Sequence, residues 1–397
     1  MNALRKYIDK IKPKFEKGGK FAKLHSVFDG LESFLFVPNT TSKSGVHIHD
    51  AIDSKRVMSV VIMALIPAVL SGMYNIGYQH YLSIGQQVDF CTMFLFGFLS
   101  VLPKIIVSYV VGLGVEFIIA QIKGHEIQEG FLVSGILIPM IVPINTPLWM
   151  IAVATVFAVI FAKEVFGGTG YNIFNVALIT RAFLFFAYPA AMSGDKVFVR
   201  TEPIFSLGQG TVLDAYSGAT PLGQVATATT SPVEITNIIG EPISHLDSFL
   251  GLIPGSIGET SKLAILIGAA ILLFTRVASW KTMLSVFVGG AAMAGVFNWI
   301  GTTPAMTLPV ANHLLLGGFA FGAVFMATDP VTSARTEKGK YIYGFLVGMF
   351  AIVIRVLNPG YPEGMMLAIL LMNAFAPLID HYVVEANIKK RLSRVKK

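Results

Sequence analysis

Several uninterrupted apolar runs in this 397-residue chain reach the length that a membrane-spanning helix requires. A helix of about 17–25 apolar residues crosses the roughly 30 Å of hydrocarbon in a bilayer. The chain is 54% hydrophobic and 13% charged, whereas soluble domains carry about 25% charged residues. Because backbone polar groups in lipid must be satisfied within the protein, these runs predict an all-α polytopic membrane protein.

We predict ten spans in two groups of five, on either side of a polar interval. The expected segments are 57–76, 90–121 with a bend at Pro103, 130–142, 148–166 and 171–190, then 263–279, 283–300, 309–327, 341–357 and 364–384. The third segment, "GILIPMIVPINTP", is rich in Gly and Pro and too short for a straight crossing. We therefore expect it to be broken or to enter the membrane only halfway.

The distribution of Lys and Arg predicts the orientation, because basic loops stay on the cytoplasmic side. Residues 1–56 carry eleven Lys or Arg against six Asp or Glu, and the tail 385–397 carries six basic residues. Residues 191–247 carry two basic residues against six acidic ones. We therefore place both termini in the cytoplasm and the polar interval outside, which five spans on each side of it satisfy.

The two groups of spans are predicted to be inverted repeats, since an odd number of spans reverses the second copy. "KEVFGGTGYNIFNVALITRAF" resembles "RVLNPGYPEGMMLAILLMNAF" from the second half, and in both an apolar helix leads into a Gly-rich break. The predicted parts are a cytoplasmic amphipathic extension, a first membrane repeat, an extracytoplasmic loop, a second membrane repeat and a basic cytoplasmic tail, at 1–56, 57–190, 191–262, 263–384 and 385–397.

Cysteine usage and missing motifs limit the cofactors. The single cysteine, Cys91, allows no internal disulfide, and an iron–sulfur cluster held by this chain alone would need about four ligands. Neither G-x-G-x-x-G after a strand nor G-x-x-x-x-G-K-[ST] occurs, so we expect no nucleotide site of either type. No nucleic acid is expected as a partner.

The most specific motif lies in the outer interval, in "DAYSGATPLG" at 214–223. Thr220 precedes Pro221, which favours the first position of a helix, so the threonine hydroxyl would lie beside free N–H groups that suit a phosphate. An ordinary capped helix is the alternative. The stretch also matches the pattern D-x-x-S-G-A-T of sites where FMN is joined through its phosphate to the threonine oxygen, with Asp214, Ser217, Gly218, Ala219 and Thr220. Because an unaided threonine hydroxyl is a poor nucleophile, a separate flavin transferase is expected.

Stretches along the whole chain resemble one family, the B subunits of the sodium-pumping NADH:quinone oxidoreductases. These stretches are "KFEKGGK", "DSKRVMSVVIMALIPAVLSGMYNIG", "GHEIQEGFLVSGILIP", "FAKEVFGGTGYNIFNVALITRAFLFFAYPA", "DAYSGATPLG" and "FMATDPVTSARTEKGKYIYG". The related D subunits of Rnf complexes share the core and the flavin threonine. They typically lack a basic extension like residues 1–56, which favours the quinone reductase.

The resemblance implies a translocase component of the bacterial inner membrane that works with five other subunits. Those partners include an extracytoplasmic flavoprotein and a soluble cytoplasmic subunit. The resemblance also implies a second, non-covalent flavin, riboflavin, and ubiquinone or menaquinone as the electron acceptor. Electrons would enter through FMN on Thr220 at the outer face and leave to quinone near the inner face, coupled to sodium export.

Three carboxylates are candidates for guiding sodium, a hard cation that prefers oxygen ligands: Asp329, Asp380 and Glu129. Each lies at the end of a predicted span, and acidic groups at membrane depth are costly and commonly functional. The alternatives are a helix cap or an interfacial salt bridge, with Arg335 as the partner of Asp329.

Two aromatic and two amide residues complete the candidates. Phe321 and Phe325 lie one helical turn apart and could form a gate that narrows an ion path, with core packing as the alternative. Asn172 and Asn175 follow the Gly-rich break and could bind a flavin edge or contact the ion path. Helix capping is the alternative for Asn172.

A different class of protein fits the hydrophobic pattern equally well, namely a passive channel or a solute transporter with inverted repeats. Thr220 separates the two classes, because a covalent flavin is expected only in the redox protein. The sequence thus ties the functional prediction to one threonine.

Overall fold

The structure is a computed structural model that describes residues 2–15, 19, 21, 28, 32, 36, 44–46, 54–123, 130–214 and 216–395. These residues form helices joined by loops, and their only strand-like pairing is two isolated bridges, Ile204–Leu207 and Thr236–Pro242. The prediction of an all-α membrane protein is confirmed. Glu129 and much of the N-terminal extension lie outside the described residues.

The described helices of the first half are α1 (Asn2–Ile11), α2 (Ser54–Ser83), α3 (Phe90–Lys123), α4 (Phe131–Met140), α5 (Leu148–Ala158) and α6 (Val176–Ala187). A short 3-10 turn at Lys12–Lys14 follows α1. α5 continues through a π-helical turn at Val159–Lys163 and a 3-10 turn at Glu164–Phe166. α3 runs through Pro103 as a single helix.

The described helices of the second half are α7 (Pro221–Thr227), α8 (His245–Leu250), α9 (Lys262–Phe274), α10 (Trp280–Ile300), α11 (Val310–Leu315), α12 (Phe319–Phe321), α13 (Glu337–Leu357) and α14 (Met365–Val395). The short α12 leads into a π-helical turn at Gly322–Met326. Before α7, a 3-10 turn at Pro189–Ala191 opens the polar interval. α14 extends through most of the tail that the sequence separates at 385.

Six of the described helices are long and apolar enough to cross a membrane, judged by length and composition: α2, α3, α5 with its extension, α10, α13 and α14. α4, α6 and α9 are shorter apolar helices. A helix of 13 residues such as α9 covers only about 20 Å. The third predicted segment is therefore short as expected, and those predicted at 171–190, 263–279 and 309–327 are also shorter or more broken than a full crossing.

Three glycines explain why α6 begins at Val176 and not at residue 171, where the sequence predicts the segment to start. Gly167, Gly168 and Gly170 all have positive φ angles, in the left-handed region that residues with a Cβ avoid. This break ends the α5 segment, and Asn175 then starts α6 by accepting the backbone N–H groups of Ala177 and Leu178 at 3.0 and 3.3 Å. The polar backbone of the break consequently lies between two apolar helices.

Small residues let the long helices approach closely, as is common between membrane helices. In the α2–α3 pair, a Cβ on Gly77 would collide with the backbone of Met93, and one on Gly97 would collide with the backbone of Met73. In the α10–α13 pair, Gly289 and Gly348 play the same part against opposing backbone atoms. These contacts fix the frame that holds the shorter helices.

The polar interval packs against the end of α2 that lies farthest from the N-terminal extension. The backbone N–H of Leu213 donates to the carbonyl of Ser83 at 3.0 Å. The ring nitrogens of His80 lie 2.8 Å from the carbonyl oxygen of Arg200 and 3.0 Å from that of Gly208. The interval that contains Thr220 is thus attached to the side of the helices that we predict to be extracytoplasmic.

Candidate functional site

Thr220 is the N-cap of α7. Its hydroxyl oxygen accepts the backbone N–H of Gly223 at 3.1 Å, and Pro221 occupies the first helical position. Gln224 joins α7 to the backbone of Thr236 by two hydrogen bonds. Its side chain donates to the carbonyl of Thr236 at 2.7 Å and accepts the N–H of Thr236 at 2.9 Å. The half-buried Thr220 is therefore held on a short helix of seven residues with a defined orientation.

The turn before Thr220 is tightly packed. Gly218 is buried, and a Cβ there would collide with the carbonyl oxygen of Asp195 and the hydroxyl of Tyr216. Burial first, and then the Asp195 carboxylate, raise the pKa of Tyr216 to about 12. Ser217 donates its backbone N–H to Ile238 at 2.9 Å, whereas the Asp214 side chain is exposed.

Beside Thr220 lies a recess that we call the outer cleft. Its walls include Thr220, Leu222, Ile253, Thr260 and three charged residues, namely Glu259, Lys262 and Glu363. Thr260 is 3% exposed, and its hydroxyl has no hydrogen-bond partner among the described residues. A buried hydroxyl without a partner is costly, so this hydroxyl favours a ligand with an acceptor atom.

Five charged residues at the outer cleft form what we call the outer charge cluster: Glu259, Lys262 and Glu363 in its walls, and Arg181 and Arg355, which contact Glu363 from outside the walls. The Arg181 guanidinium donates to Glu259 at 2.8 Å and also to Glu363. Lys262 donates to the carbonyls of Glu259, Thr260 and Gly317 at 2.6, 3.0 and 3.3 Å. Arg355 donates to the carbonyls of His313, Leu316 and Glu363.

The sequence-based prediction missed this cluster, although a signal was present. Arg181 lies in the apolar run "VALITRAFLFFA" and Arg355 in "GMFAIVIRVL". An arginine inside an apolar helix marks a partner or a function by default. What the sequence lacks is the identity of the partners, since Arg181 and Glu259 are 78 positions apart.

A second recess, the inner pocket, brings together four of the predicted residues. Its walls include Asn172, Asn175, Phe325 and Asp329, with Lys163, Ser134 and apolar side chains from α2 and α9. The Asn175 amide donates to Asp329 at 3.1 Å, and Asp329 also accepts from the Thr332 hydroxyl at 3.1 Å and the Val331 N–H at 3.0 Å. Residues that the sequence proposes separately thus share one polar site.

Two alternatives from the sequence are wrong at this pocket. The helix cap is Asn175, while the Asn172 side chain accepts the N–H of Gly170 at 3.3 Å and donates to the carbonyl of Phe174 at 3.0 Å. No described ion pair joins Asp329 to Arg335. The break at Gly167–Gly170 extends far enough that the first helical turn falls after Asn175.

The inner pocket also contains one end of a buried ion pair. Lys163 and Glu116 are each 4% exposed and bond to each other. Lys163 is the last residue of the π-helical turn after α5, and Phe325 lies in the π-helical turn after α12. π-Turns re-aim side chains and are frequent at functional sites. Lys163 from the first turn and Phe325 from the second both line the inner pocket.

The remaining candidates lie elsewhere. Phe321 is fully buried, and its ring centroid lies 5.0 Å from that of Phe325 with the rings tilted by 49°, but only Phe325 is part of the pocket wall. Asp380 accepts the N–H groups of Arg335 and Thr336 at 2.7 and 3.0 Å and the Thr336 hydroxyl at 2.6 Å, so it braces the turn before α13. Over the described ranges, no three His, Cys, Asp or Glu side chains meet as metal ligands.

Short elements connect the two recesses. α9 begins with Lys262 at the outer cleft and reaches the inner pocket with Leu272, about 15 Å farther along its axis. α6 begins with Asn175 at the pocket and carries Arg181 into the outer charge cluster about 9 Å away. The two recesses are therefore closer together than the roughly 30 Å thickness of the hydrocarbon core.

The two recesses offer different chemical groups. The outer cleft offers the Thr220 oxygen, the unpartnered Thr260 hydroxyl and the Lys262 ammonium beside two carboxylates, so it has donors for an attached group with a phosphate or other acceptor atoms. The inner pocket offers apolar walls with two amides and a carboxylate, which suit an uncharged ring system without a phosphate.

Together the helices and the two polar recesses define a multi-pass α-helical membrane protein with polar sites in its interior. The chain belongs to the NQR2, RnfD, RnfE family, whose model matches residues 41–389. It is similar to proteins named as the B subunits of Na(+)-translocating NADH-quinone reductases. The relative from Chromohalobacter salexigens is 44% identical, and the alignment covers 98% of this chain and 96% of that protein. Relatives from Pseudomonas aeruginosa and Klebsiella pneumoniae are 43% and 45% identical, each over 98% of this chain and 99% of their own.

Proposed function

We propose that this chain is the B subunit of a sodium-translocating NADH:quinone reductase, a translocase, and that Thr220 carries FMN through a phosphoester bond. Relatives named as B subunits match along nearly the whole chain, including the basic extension that Rnf D subunits typically lack. The observation that carries the flavin proposal is the half-buried Thr220 hydroxyl in the wall of a cleft that also contains Lys262 and the unpartnered Thr260 hydroxyl. The flavin phosphate would therefore find donors there beside the carboxylates of Glu259 and Glu363.

The protein's part is to position its cofactors and set their electrostatic surroundings, while the flavins supply one-electron chemistry when bound. Thr220 anchors FMN, and Gly218 with Gln224 holds the turn in shape. Asn172 and Asn175, which line the inner pocket, would present their amides to riboflavin there. Electrons would arrive from an extracytoplasmic flavoprotein subunit and leave to ubiquinone or menaquinone near the cytoplasmic face.

Sodium follows the electron because charge added in a low-dielectric interior attracts a cation. Asp329 lies in the inner pocket beside Asn175 and the Thr332 hydroxyl, so oxygen atoms are available there for a hard cation. Phe325 borders the same space and is the aromatic residue placed to narrow it. Asp380 accepts backbone N–H groups of the turn before α13. Its part in the sodium path would be to hold that turn in place. Glu129 stays a sequence-based candidate.

In-gel fluorescence of the denatured protein tests the proposal. In cells that make the flavin transferase, the wild-type band fluoresces under ultraviolet light, and Thr220→Ala abolishes the signal because the ester oxygen is gone. Thr227→Ala is the matched control, since Thr227 is an exposed threonine at the other end of α7. A dark wild-type band of full length would reject the covalent flavin and favour a channel or solute transporter.

A further inference from the structure

The outer charge cluster does not balance its own charge. Three cations, Arg181, Lys262 and Arg355, face two carboxylates, Glu259 and Glu363. The three cations are 2%, 3% and 4% exposed, so solvent does little to screen the surplus. Burying an uncompensated charge is costly, and proteins tolerate it where a ligand or a reaction supplies the opposite charge.

Several donors in the same region have no acceptor. Within the described part of the chain, the Thr260 hydroxyl and the Nε groups of Arg181 and Arg355 have no hydrogen-bond partner. Thr260 belongs to the wall of the outer cleft, next to Lys262. These unused donors indicate that the missing partner is an acceptor that carries negative charge.

We propose that the outer charge cluster is the counter-charge for the reduced flavin on Thr220, with Lys262 and Glu259 as positioning residues that set its reduction potential and Thr260 as a donor to it. This inference rests on the proposed function, because it needs the flavin at Thr220. It assigns a role to residues that neither anchor the flavin nor contact the inner pocket.

The charge balance of the step supports this assignment. Uptake of one electron without a proton, with NADH as the reductant through the complex, would add one negative charge at the cleft. The single surplus positive charge of the cluster would compensate that charge. A cation between Glu259 and Glu363 would instead raise the surplus, and both carboxylates already accept from Arg181.

Two substitutions of opposite sign test the inference in the purified whole complex. Glu259→Gln removes a negative charge and should favour reduction of the flavin on Thr220, whereas Lys262→Met removes a positive charge and should disfavour it. For a charge at about 10 Å and an effective dielectric constant of about 20, each change alters the one-electron equilibrium constant by about tenfold. A redox titration followed by flavin absorbance, with the Thr220→Ala complex subtracted, measures both shifts.

Thr260→Val and Lys104→Met complete the set. Thr260→Val keeps the side-chain shape, removes only the donor and should disfavour reduction by a smaller factor, so it serves where Lys262→Met fails to assemble. Lys104→Met is the matched control, because Lys104 is a buried lysine that donates to the carbonyl of Thr146 and lines a different recess. It should leave the potential unchanged.

The outcomes separate this inference from the proposed function. Opposite shifts for Glu259→Gln and Lys262→Met, or a lower potential for Thr260→Val, support the counter-charge. A fluorescent wild-type band combined with unchanged potentials, or with shifts of the same sign in both charge variants, overturns the counter-charge and leaves the covalent flavin standing. A dark wild-type band rejects both.

Discussion

Two capping residues in this protein also face the candidate sites. Thr220 caps α7 at the outer cleft, and Asn175 caps α6 at the inner pocket while its amide donates to Asp329. In both cases the cap bond orients the side chain: Thr220 holds its hydroxyl oxygen at the N-terminus of α7, and Asn175 caps with its Oδ1 while its Nδ2 is directed at Asp329. A single residue thereby connects local helix geometry to the chemistry of a cleft.

Gly218 should also be required for efficient flavin attachment, for a steric reason. In Gly218→Ala the new Cβ meets the Asp195 carbonyl, a backbone atom that moves only if the loop moves. Such overpacking costs about 1–3 kcal/mol, so we expect attachment to fall by about tenfold in the in-gel fluorescence assay. Gly114→Ala, where a Cβ meets nothing within 4 Å, should leave the signal intact. Equal fluorescence in both variants would contradict the role of the turn.

Asn175 offers a way to separate capping from binding. Asn175→Ser keeps an oxygen that can cap α6 but loses the amide that donates to Asp329. We expect the non-covalent flavin content of the purified complex to fall severalfold with little loss of stability. Asn175→Leu loses both roles and should also lower stability by about 1 kcal/mol. Unchanged flavin content in Asn175→Ser, measured after extraction of the non-covalent flavin, would show that the amide serves the helix alone.

At the scale of elements, the short and broken helices determine where the polar sites lie. α4, α6, α9 and the α11–α12 segment do not cross the membrane alone, so their ends place backbone and side-chain polar groups inside the protein. Such ends are tolerated at membrane depth only where protein or a cavity surrounds them. The outer cleft and the inner pocket both occur at ends of this kind.

The sequence predicts the apolar segments well because their signal is local. The run of apolar segments, the short third segment and the capped Thr220 all follow from residues within one helix length of one another. The inner pocket requires contacts such as Asn175 with Asp329, which are 154 positions apart, and no single-sequence pattern specifies that pairing. The predicted start of α6 is wrong for a local reason, since three glycines with positive φ extend the break.

Phe321 and Phe325 should differ in function although their rings are in contact. Both lie in the core, so replacement of either by alanine costs about 3–5 kcal/mol of stability. Only Phe325 borders the inner pocket, so Phe325→Ala should also reduce sodium transport per electron in reconstituted vesicles. Phe321→Ala should reduce stability at an unchanged ratio of sodium to electrons. A changed ratio in Phe321→Ala and a normal one in Phe325→Ala would reverse the assignment.

At the scale of the whole molecule, the outer charge cluster joins the two halves of the chain. Arg181 comes from α6 in the first half, and its partners Glu259 and Glu363 come from the second half. The inner pocket makes a similar connection through Asn175 and Asp329. The halves are thus linked by polar contacts at both recesses, in addition to the packing of α9 against α2 and of α14 against α6.

Arg181→Met should therefore destabilise the entire protein. The substitution leaves two carboxylates without their shared cation in a buried site, and breaking a buried pair in this way costs about 3–5 kcal/mol. Adding Glu259→Gln removes one stranded charge, so the double variant should recover part of the loss. Thermal denaturation of the detergent-purified complex measures both effects, with Arg391→Met, an exposed arginine near the end of α14, as the control. If Arg181→Met melts like the control, the halves are held together by apolar packing, and the cluster acts only through its charge on the flavin.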